Sequence, residues 1–350
     1  MRKSTKQLGT ILLATVMVLG LAGCGKKDAE TETTEANTIT TEVADKEEKV
    51  IRVGGPGAEE SALNMELMNV AYRQGYLEEE LRNAGYELEF TFFAGGGPGI
   101  NEALAADEID VATYGDLPAF VGKSNGVDTT LIASDNADLQ YGIVVANDEI
   151  QDAKDLEGKN VIVPEGTAIQ YFWENYAKEK GIDTSKVNII NAVEDAASLL
   201  MTGDADAIVS TTCGAQSYVY KGVGRILDTG AGLENAHSSY VTVVKNSFLK
   251  ENPDAAVAIN KALIDAYDAV LKDENVLYES SAGTNLPAEE WKKVYAYDTS
   301  FSYLTPEITS SEKEYWQNFN QWLVDHKLID EKLDLDVFVD TSYYEKAISE

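Results

Sequence analysis

The sequence predicts an α/β chain built on largely parallel sheets, and three observations carry that expectation. From Lys49 onward, short β-prone runs alternate with segments of helical spacing, as repeated βαβ units require. Loops after several of these runs are crowded with Gly, Ser and Thr. The last hundred residues lose the strand runs and turn helical.

The elements follow in order. Arg2, Lys3 and Lys6 precede an apolar run over 11–23, the make-up of a signal peptide spanning 1–23. That run is too short for a comfortable membrane span. Leu21, Ala22, Gly23 and Cys24 form LAGC, which resembles the bacterial lipobox. The resemblance implies that Cys24 is acylated and becomes the mature N-terminus, an anchor on the outer face of the membrane. An ordinary secretory signal that happens to end near a Cys is the bland alternative. Residues 24–49 hold almost nothing that could form a core, so they read as a disordered tether behind the acylated Cys24.

EEKVIRVGG (47–55) reads as a strand, and ALNMELMNVAYRQGY (62–76) puts Leu63, Leu67 and Val70 on one helical face. YELEFTFFAGG (86–96) alternates and ends in glycine. Pro98 then sits in the first turn of a helix carrying Ile100, Ala103 and Leu104. IDVATYG, TTLIAS, YGIVVA, KNVIVPEG, KVNIINA, ADAIVST and GRILDTG follow as strands. A faint echo links LAADEIDVAT (104–113) to LMTGDADAIVS (200–210), with Asp110 and Asp206 six residues after Leu104 and Leu200. It points to two lobes of similar construction. Near the C-terminus, Asn252 is a candidate cap and Pro253 opens a helix with Ile259, Leu263, Ala266 and Val270 on one face. Two more helical stretches follow around 287–297 and 310–329.

Bulk properties narrow the function. The 350 residues carry 60 acidic and 28 basic side chains, a formal net charge of −32. Such a surface argues against nucleic acid as a partner and repels anionic lipid, so membrane association rests on the acyl anchor. Cys24 and Cys213 are the two cysteines, and acylation of the first leaves no pair for a disulfide.

In open α/β sheets, ligands bind beyond the carboxyl ends of the strands. Five loops there are rich in small residues: GGPGAEES (54–61), AGGGPG (94–99), YGDLP (114–118), PEGTAIQY (164–171) and STTCG (210–214). They nominate Gly55, Gly57, Glu60, Gly97, Tyr114, Gly115, Asp116, Gly166, Thr167, Thr211 and Thr212 as ligand-binding candidates. Asp116 and Thr167 read equally well as plain helix caps. GGPG lacks the GxGxxG spacing, and no GxxxxGK[ST] phosphate loop is present. His237 and His326 stand far apart, and Cys213 with His237 as its base would lack a third member to position them. No cluster has metal-ligand spacing, so neither a catalytic set, a metal site nor a cofactor is expected.

Taken together, LAGC, EALAADEIDVATYGDLPAFVGKSNGVDTTLIAS (102–134), DLEGKNVIVPEGTAIQYF (155–172), TGDADAIV (202–209) and NPDAAVAINKAL (252–263) make the chain resemble the solute-binding lipoproteins of ABC importers, specifically the nitrate, taurine and aliphatic sulfonate group. The resemblance implies a type II periplasmic-binding fold: two α/β lobes joined by two crossing strands, with C-terminal helices packed on lobe one. It implies lobe one over 50–145, lobe two over 146–240, and a return to lobe one with the helices over 241–350. The crossings fall near YGIVVA (141–146) and SYVTVV (239–244). Gly115 and Asp116, with Gly166, Thr167, Thr211 and Thr212, would face a small-molecule solute in the cleft of a monomer that delivers it to ABC permease and ATPase subunits. Asp116 would both cap its helix and line the cleft. None of the five loops holds Lys or Arg, and they bring in Glu59, Glu60, Asp116 and Glu165. That charge suits a neutral or cationic solute, such as a thiamine-precursor pyrimidine, better than a sulfonate. The pyrimidine-synthase relatives of this fold would need a Cys-rich, His-bearing active site that is missing here. A membrane-tethered solute sensor is the remaining alternative.

Overall fold

The structure, a computed structural model, describes residues 49–58, 62, 63, 65–192, 195–233, 235–283 and 286–350. The signal peptide (1–23), Cys24, all of the tether before Lys49, and Glu60 lie outside the described residues. β1 (Lys49–Ala58) turns back as the short β2 (Ala62–Leu63) before α1 (Leu67–Arg73) and α2 (Tyr76–Asn83). β3 (Tyr86–Phe93), α3 (Gly97–Ala105), β4 (Val111–Gly115), α4 (Asp116–Ser124) and β5 (Thr129–Leu139) follow. The next run comprises β6 (Tyr141–Val145), β7 (Asn160–Ile162), α5 (Ala168–Lys180), β8 (Asn188–Ile190) and α6 (Ala196–Thr202). It ends in β9 (Ala207–Thr211), α7 (Thr212–Tyr220) and β10 (Arg225–Thr229). β11 (Ser238–Lys245) leads into α8 (Asn246–Glu251), α9 (Pro253–Lys272), α10 (Asn275–Ser281) and α11 (Ala288–Val294). α12 (Ser310–Asp325), α13 (Leu335–Phe338) and α14 (Ser342–Ala347) complete the chain.

The strands form two sheets with one plan. The first runs β3-β1-β4-β11-β5, with β2 paired to β1, and the second runs β8-β7-β9-β6-β10. In each, the fourth strand in that order opposes both neighbours: β11 in the first, β6 in the second. The other pairings of the long strands are parallel. The opposed strand is the one the chain enters after changing sheets. It leaves the first sheet through Gln140 alone, between β5 and β6, and comes back over 230–237, between β10 and β11. Two α/β lobes joined by two crossings are therefore present, as the resemblance implied.

The sequence echo has a physical counterpart. The Arg52 backbone N–H donates to the Asp110 carboxylate at 3.0 Å, and the Asp110 N–H returns a bond to the Arg52 carbonyl at 2.8 Å. In the second sheet, Asn160 and Asp206 exchange the same pair of bonds, both at 2.8 Å. Each aspartate thus ties the strand that starts just after it to that strand's parallel neighbour, β1 in the first sheet and β7 in the second.

Both faces of each sheet are covered. Ile51 and Val53 pack under α1, α2 and α9, where Ile259, Leu263, Ala266 and Val270 are fully buried on the predicted face. α3, α4 and α12 cover the other face through Ile100, Phe120, Trp316 and Phe319. In the second sheet, Ile143 and Val145 face Phe172 and Tyr176 of α5, whereas Val144 faces Leu200 and Ala215. The α12 layer also reaches the second lobe. Tyr171 of α5 meets the rings of Tyr315, Phe319 and Trp322 at 5.0–5.9 Å, and the Trp322 indole donates to Glu174 at 2.7 Å.

One expected element changes. Leu63 is not part of the first helix, because Gly57–Ala58 and Ala62–Leu63 pair as an antiparallel hairpin and the helix begins at Leu67. Among the described residues, no helix is long and apolar enough to cross a membrane.

Candidate functional site

Strand ends that run directly into helices give the site its shape. β4 passes into α4 and β9 into α7 without a spacer residue, while α3 and α5 start from glycine-rich turns. The first N–H groups of any helix have no partner within it and carry the positive end of its dipole. Four such ends, from α3 and α4 of one lobe and α5 and α7 of the other, border one cavity of about 560 Å³. Gly97, Gly115 and Asp116 line it from the first lobe, and Gly166, Thr167 and Thr211 from the second. Among the described residues, its lining holds neither Lys nor Arg, and Asp116 is the one ionisable carboxyl group there.

Each predicted residue except Glu60, which lies outside the described residues, finds a definite place. Gly115, not Asp116, occupies the cap position of α4. The Asp116 carboxylate accepts the Leu117 N–H at 2.7 Å through Oδ1 and turns Oδ2 toward β11 and α12. Oδ2 accepts from the Ser239 N–H at 2.9 Å, the Ser239 hydroxyl at 3.0 Å and the Tyr315 hydroxyl at 2.9 Å. Burial pushes this carboxyl upward, and the bonds from Tyr315 and Ser239 hold it partly back. Capping and lining are therefore divided between two neighbours. The expectation that Asp116 itself is the cap residue of α4 is corrected: Gly115 holds that position, and Asp116 Oδ2 is taken up by distant donors.

Thr167 caps α5: its hydroxyl oxygen accepts the Gln170 N–H at 3.4 Å and its O–H donates to the Pro164 carbonyl at 2.7 Å. Gly166 before it has φ of +69°, which a side chain would strain, and its N–H donates to Gln170 at 2.8 Å. Thr211 caps α7 by accepting the Gly214 N–H at 3.2 Å. Thr212 is turned away, its N–H and hydroxyl both donating to the Gln140 carbonyl. Tyr114 lies behind the cavity wall, its hydroxyl donating at 3.0 Å to Asn101, which does line the cavity. Gly55 and Gly57 sit within β1 and its pairings, outside this lining.

Several lining residues carry no sequence signal of a site. Asn101 donates to the Pro118 carbonyl at 2.8 Å and so fixes α3 against α4. Tyr141, Ser238 and Tyr240 come from the strands that follow the crossings, where apolar strand patterning gives no sign of a ligand wall. Glu66 is a further surprise: it is buried, and among the described residues its Oε2 has no hydrogen-bond partner. Burial and neighbouring Asp135 push it well upward, while Asn136 and Tyr295 beside it act the other way. Half-buried Cys213 has its thiol pushed up to about 12 by burial, which keeps it protonated and a poor nucleophile. His237 faces Asp138 at 3.7 Å and packs on the Tyr315 ring.

A family model described as NMT1/THI5 like matches residues 64–275, more than half of the chain. The chain belongs to the NMT1/THI5-like family. A protein of Bacillus subtilis named for binding aliphatic sulfonates is 27% identical over 98% of this chain and 97% of its own length. Among solved structures, the periplasmic sulfonate-binding protein SsuA of Methylobacillus flagellatus superposes with a TM-score of 0.76 at 22% identity, over 87% of this chain and 94% of its own. A desulfurization enzyme bound to biphenyl-2-sulfinic acid gives 0.69 at 16% identity, over 85% and 99%. These likenesses give the fold: this NMT1/THI5-like chain has the type II periplasmic-binding arrangement, which serves binders and an enzyme alike.

Proposed function

We propose that this chain is the extracytoplasmic solute-binding component of an ABC importer, a binder rather than a catalyst. The observation that carries the reading is the cavity walled by helix starts of both lobes, a geometry that encloses a small molecule as the lobes close. Family membership and the sulfonate-binding name of a relative along nearly the full chain support it. In this reading, the expected lobe bounds 50–145, 146–240 and 241–350 move to the crossings: lobe one comprises 50–139, lobe two 141–229, and 238–350 returns to lobe one with the C-terminal helices, because β6 pairs in the second sheet and β11 in the first. Gly97, Gly115, Asp116, Gly166, Thr167 and Thr211 touch the solute. A permease and its ATPase receive it, and an acylated Cys24 anchors the exported monomer.

For the solute, an aliphatic sulfonate, taurine or nitrate would take its hydrogen bonds from N–H groups at the helix starts. A second reading is favoured by the lack of Lys and Arg among the described residues around the cavity and by the carboxylate of Asp116. It assigns a neutral or cationic solute, such as a thiamine-precursor pyrimidine. A tethered sensor would use the same site without import.

Thermal-shift screening separates these. The purified protein is melted with three pools: alkanesulfonates with taurine and nitrate, cationic amines with thiamine precursors, and neutral nucleobases. A ligand at a hundred times its Kd adds about 2.7 kcal/mol of stability, seen as a higher Tm. A shift with the first pool alone supports the sulfonate reading; a shift with either other pool alone discards it. No shift with any pool removes the support for small-solute binding.

A further inference from the structure

A second cavity, of about 360 Å³, lies where the two crossings meet α12. Asp138 borders it from the end of β5, His237 from the second crossing, Tyr303 from the turn before α12, and Glu312, Glu314 and Tyr315 from α12 itself. Among the described residues, three carboxyl groups therefore share one wall, and neither Lys nor Arg is on it.

One of its wall side chains carries an unanswered polar atom. Glu312 is 2% exposed, yet among the described residues its Oε2 has no hydrogen-bond partner. Glu312 Oε1 is already satisfied by the Ser134 hydroxyl at 2.9 Å. Buried polar atoms are nearly always paired, and a carboxylate oxygen left alone is among the costliest exceptions. In the ionised form of Glu312, what completes Oε2 must donate hydrogen bonds and welcome negative charge. Among the described residues, the acids and histidines do not gather into a group able to hold a metal ion. Acceptors spread along a wall suit a polyatomic cation, whose charge and N–H groups are themselves spread out.

We propose that this second cavity binds a small organic ammonium ion, with Glu312 as its counter-ion and Asp138 and Tyr303 as further contacts. The site is separate from the main cavity and does not depend on which solute the main cavity takes. Burial pushes Glu312 up to about 8, with Asp116 on α4 adding to the rise and Ser134 on β5 opposing it. Asp138, His237 and Tyr303 also border this cavity, with Glu314 and Tyr315 from Glu312's own helix. A cation selects the ionised Glu312, so binding expels a proton.

Calorimetric titration of the full chain with n-butylammonium, and with 1-butanol as an uncharged control, tests the proposal. Butylammonium binds and butanol does not. Affinity rises about tenfold per pH unit up to about 8 and levels off above it. Glu312→Gln keeps the side-chain shape and weakens binding at least tenfold. Val121→Trp, which crowds only the main cavity, leaves butylammonium binding within twofold. Should Glu312→Gln melt far below the parent, Asp138→Asn and Tyr303→Phe supply the same loss in milder form. Three results would overturn the proposal: no binding of butylammonium, loss in Val121→Trp with retention in Glu312→Gln, or affinity that falls as pH rises from 6 to 9.

Discussion

Asp116 accepts four hydrogen bonds, three of them on one oxygen, from residues 123 and 199 positions away in the chain. Asp116→Ala would leave Ser239 and Tyr315 without their acceptor inside the core. It should lower stability by about 3 kcal/mol, read as a reduced urea midpoint at unchanged slope. Buried acids also set an unusual pH response. Burial holds Asp135 up to about 6 and Glu312 up to about 8. A carboxyl raised in the folded state stabilises below its ordinary value, and that contribution is lost as pH rises through the folded one. The protein should therefore melt higher at pH 5 than at pH 8.5, and Glu312→Gln should flatten the upper part of that decline in a series of melting curves. Sequence alone reveals Asp116 as a small polar residue at a strand–helix junction. It cannot reveal the donors that occupy it, since local spacing says nothing about β11 or α12.

α3 and α4 meet so closely that a Cβ on Gly97 would stand 2.4 Å from Cβ of Pro118. Gly97→Ala should force these helix starts apart, costing about 1–3 kcal/mol and weakening solute binding together, by paired denaturation and titration. Helices with clean periodicity, such as α3 and α9, are legible in the amino-acid pattern itself. β5 shows there only through its apolar half, 129–134, although it runs to Leu139. Its polar half has another duty: Asp135 accepts the N–H groups of Glu66 and Met68, capping α1 from a neighbouring element. A helix start served from across the sheet leaves no mark in its own sequence, which is why periodicity alone carries α1 back to Leu63.

The whole molecule carries a net charge of −32, so its folded form works against its own field. Raising NaCl from low to physiological concentration should lift Tm by a few degrees through screening, measured by scanning fluorimetry with an indifferent buffer. Two-lobed construction is visible in outline because Asp110 and Asp206 recur in equivalent settings, each tying the strand after it to a parallel neighbour. Contact between the lobes through α12 is not visible there, because Tyr171 and Trp322 each read as ordinary core of its own helix. That contact has a practical consequence. The Trp322 indole donates to Glu174 of α5, stacks on His326 at 4.2 Å, and is nearly buried. Any swing of one lobe away from the other changes its polarity and its quenchers at once. The protein thus contains an intrinsic optical reporter of its own hinge, readable as a shift in tryptophan emission without a dye, and Trp322→Phe should silence it.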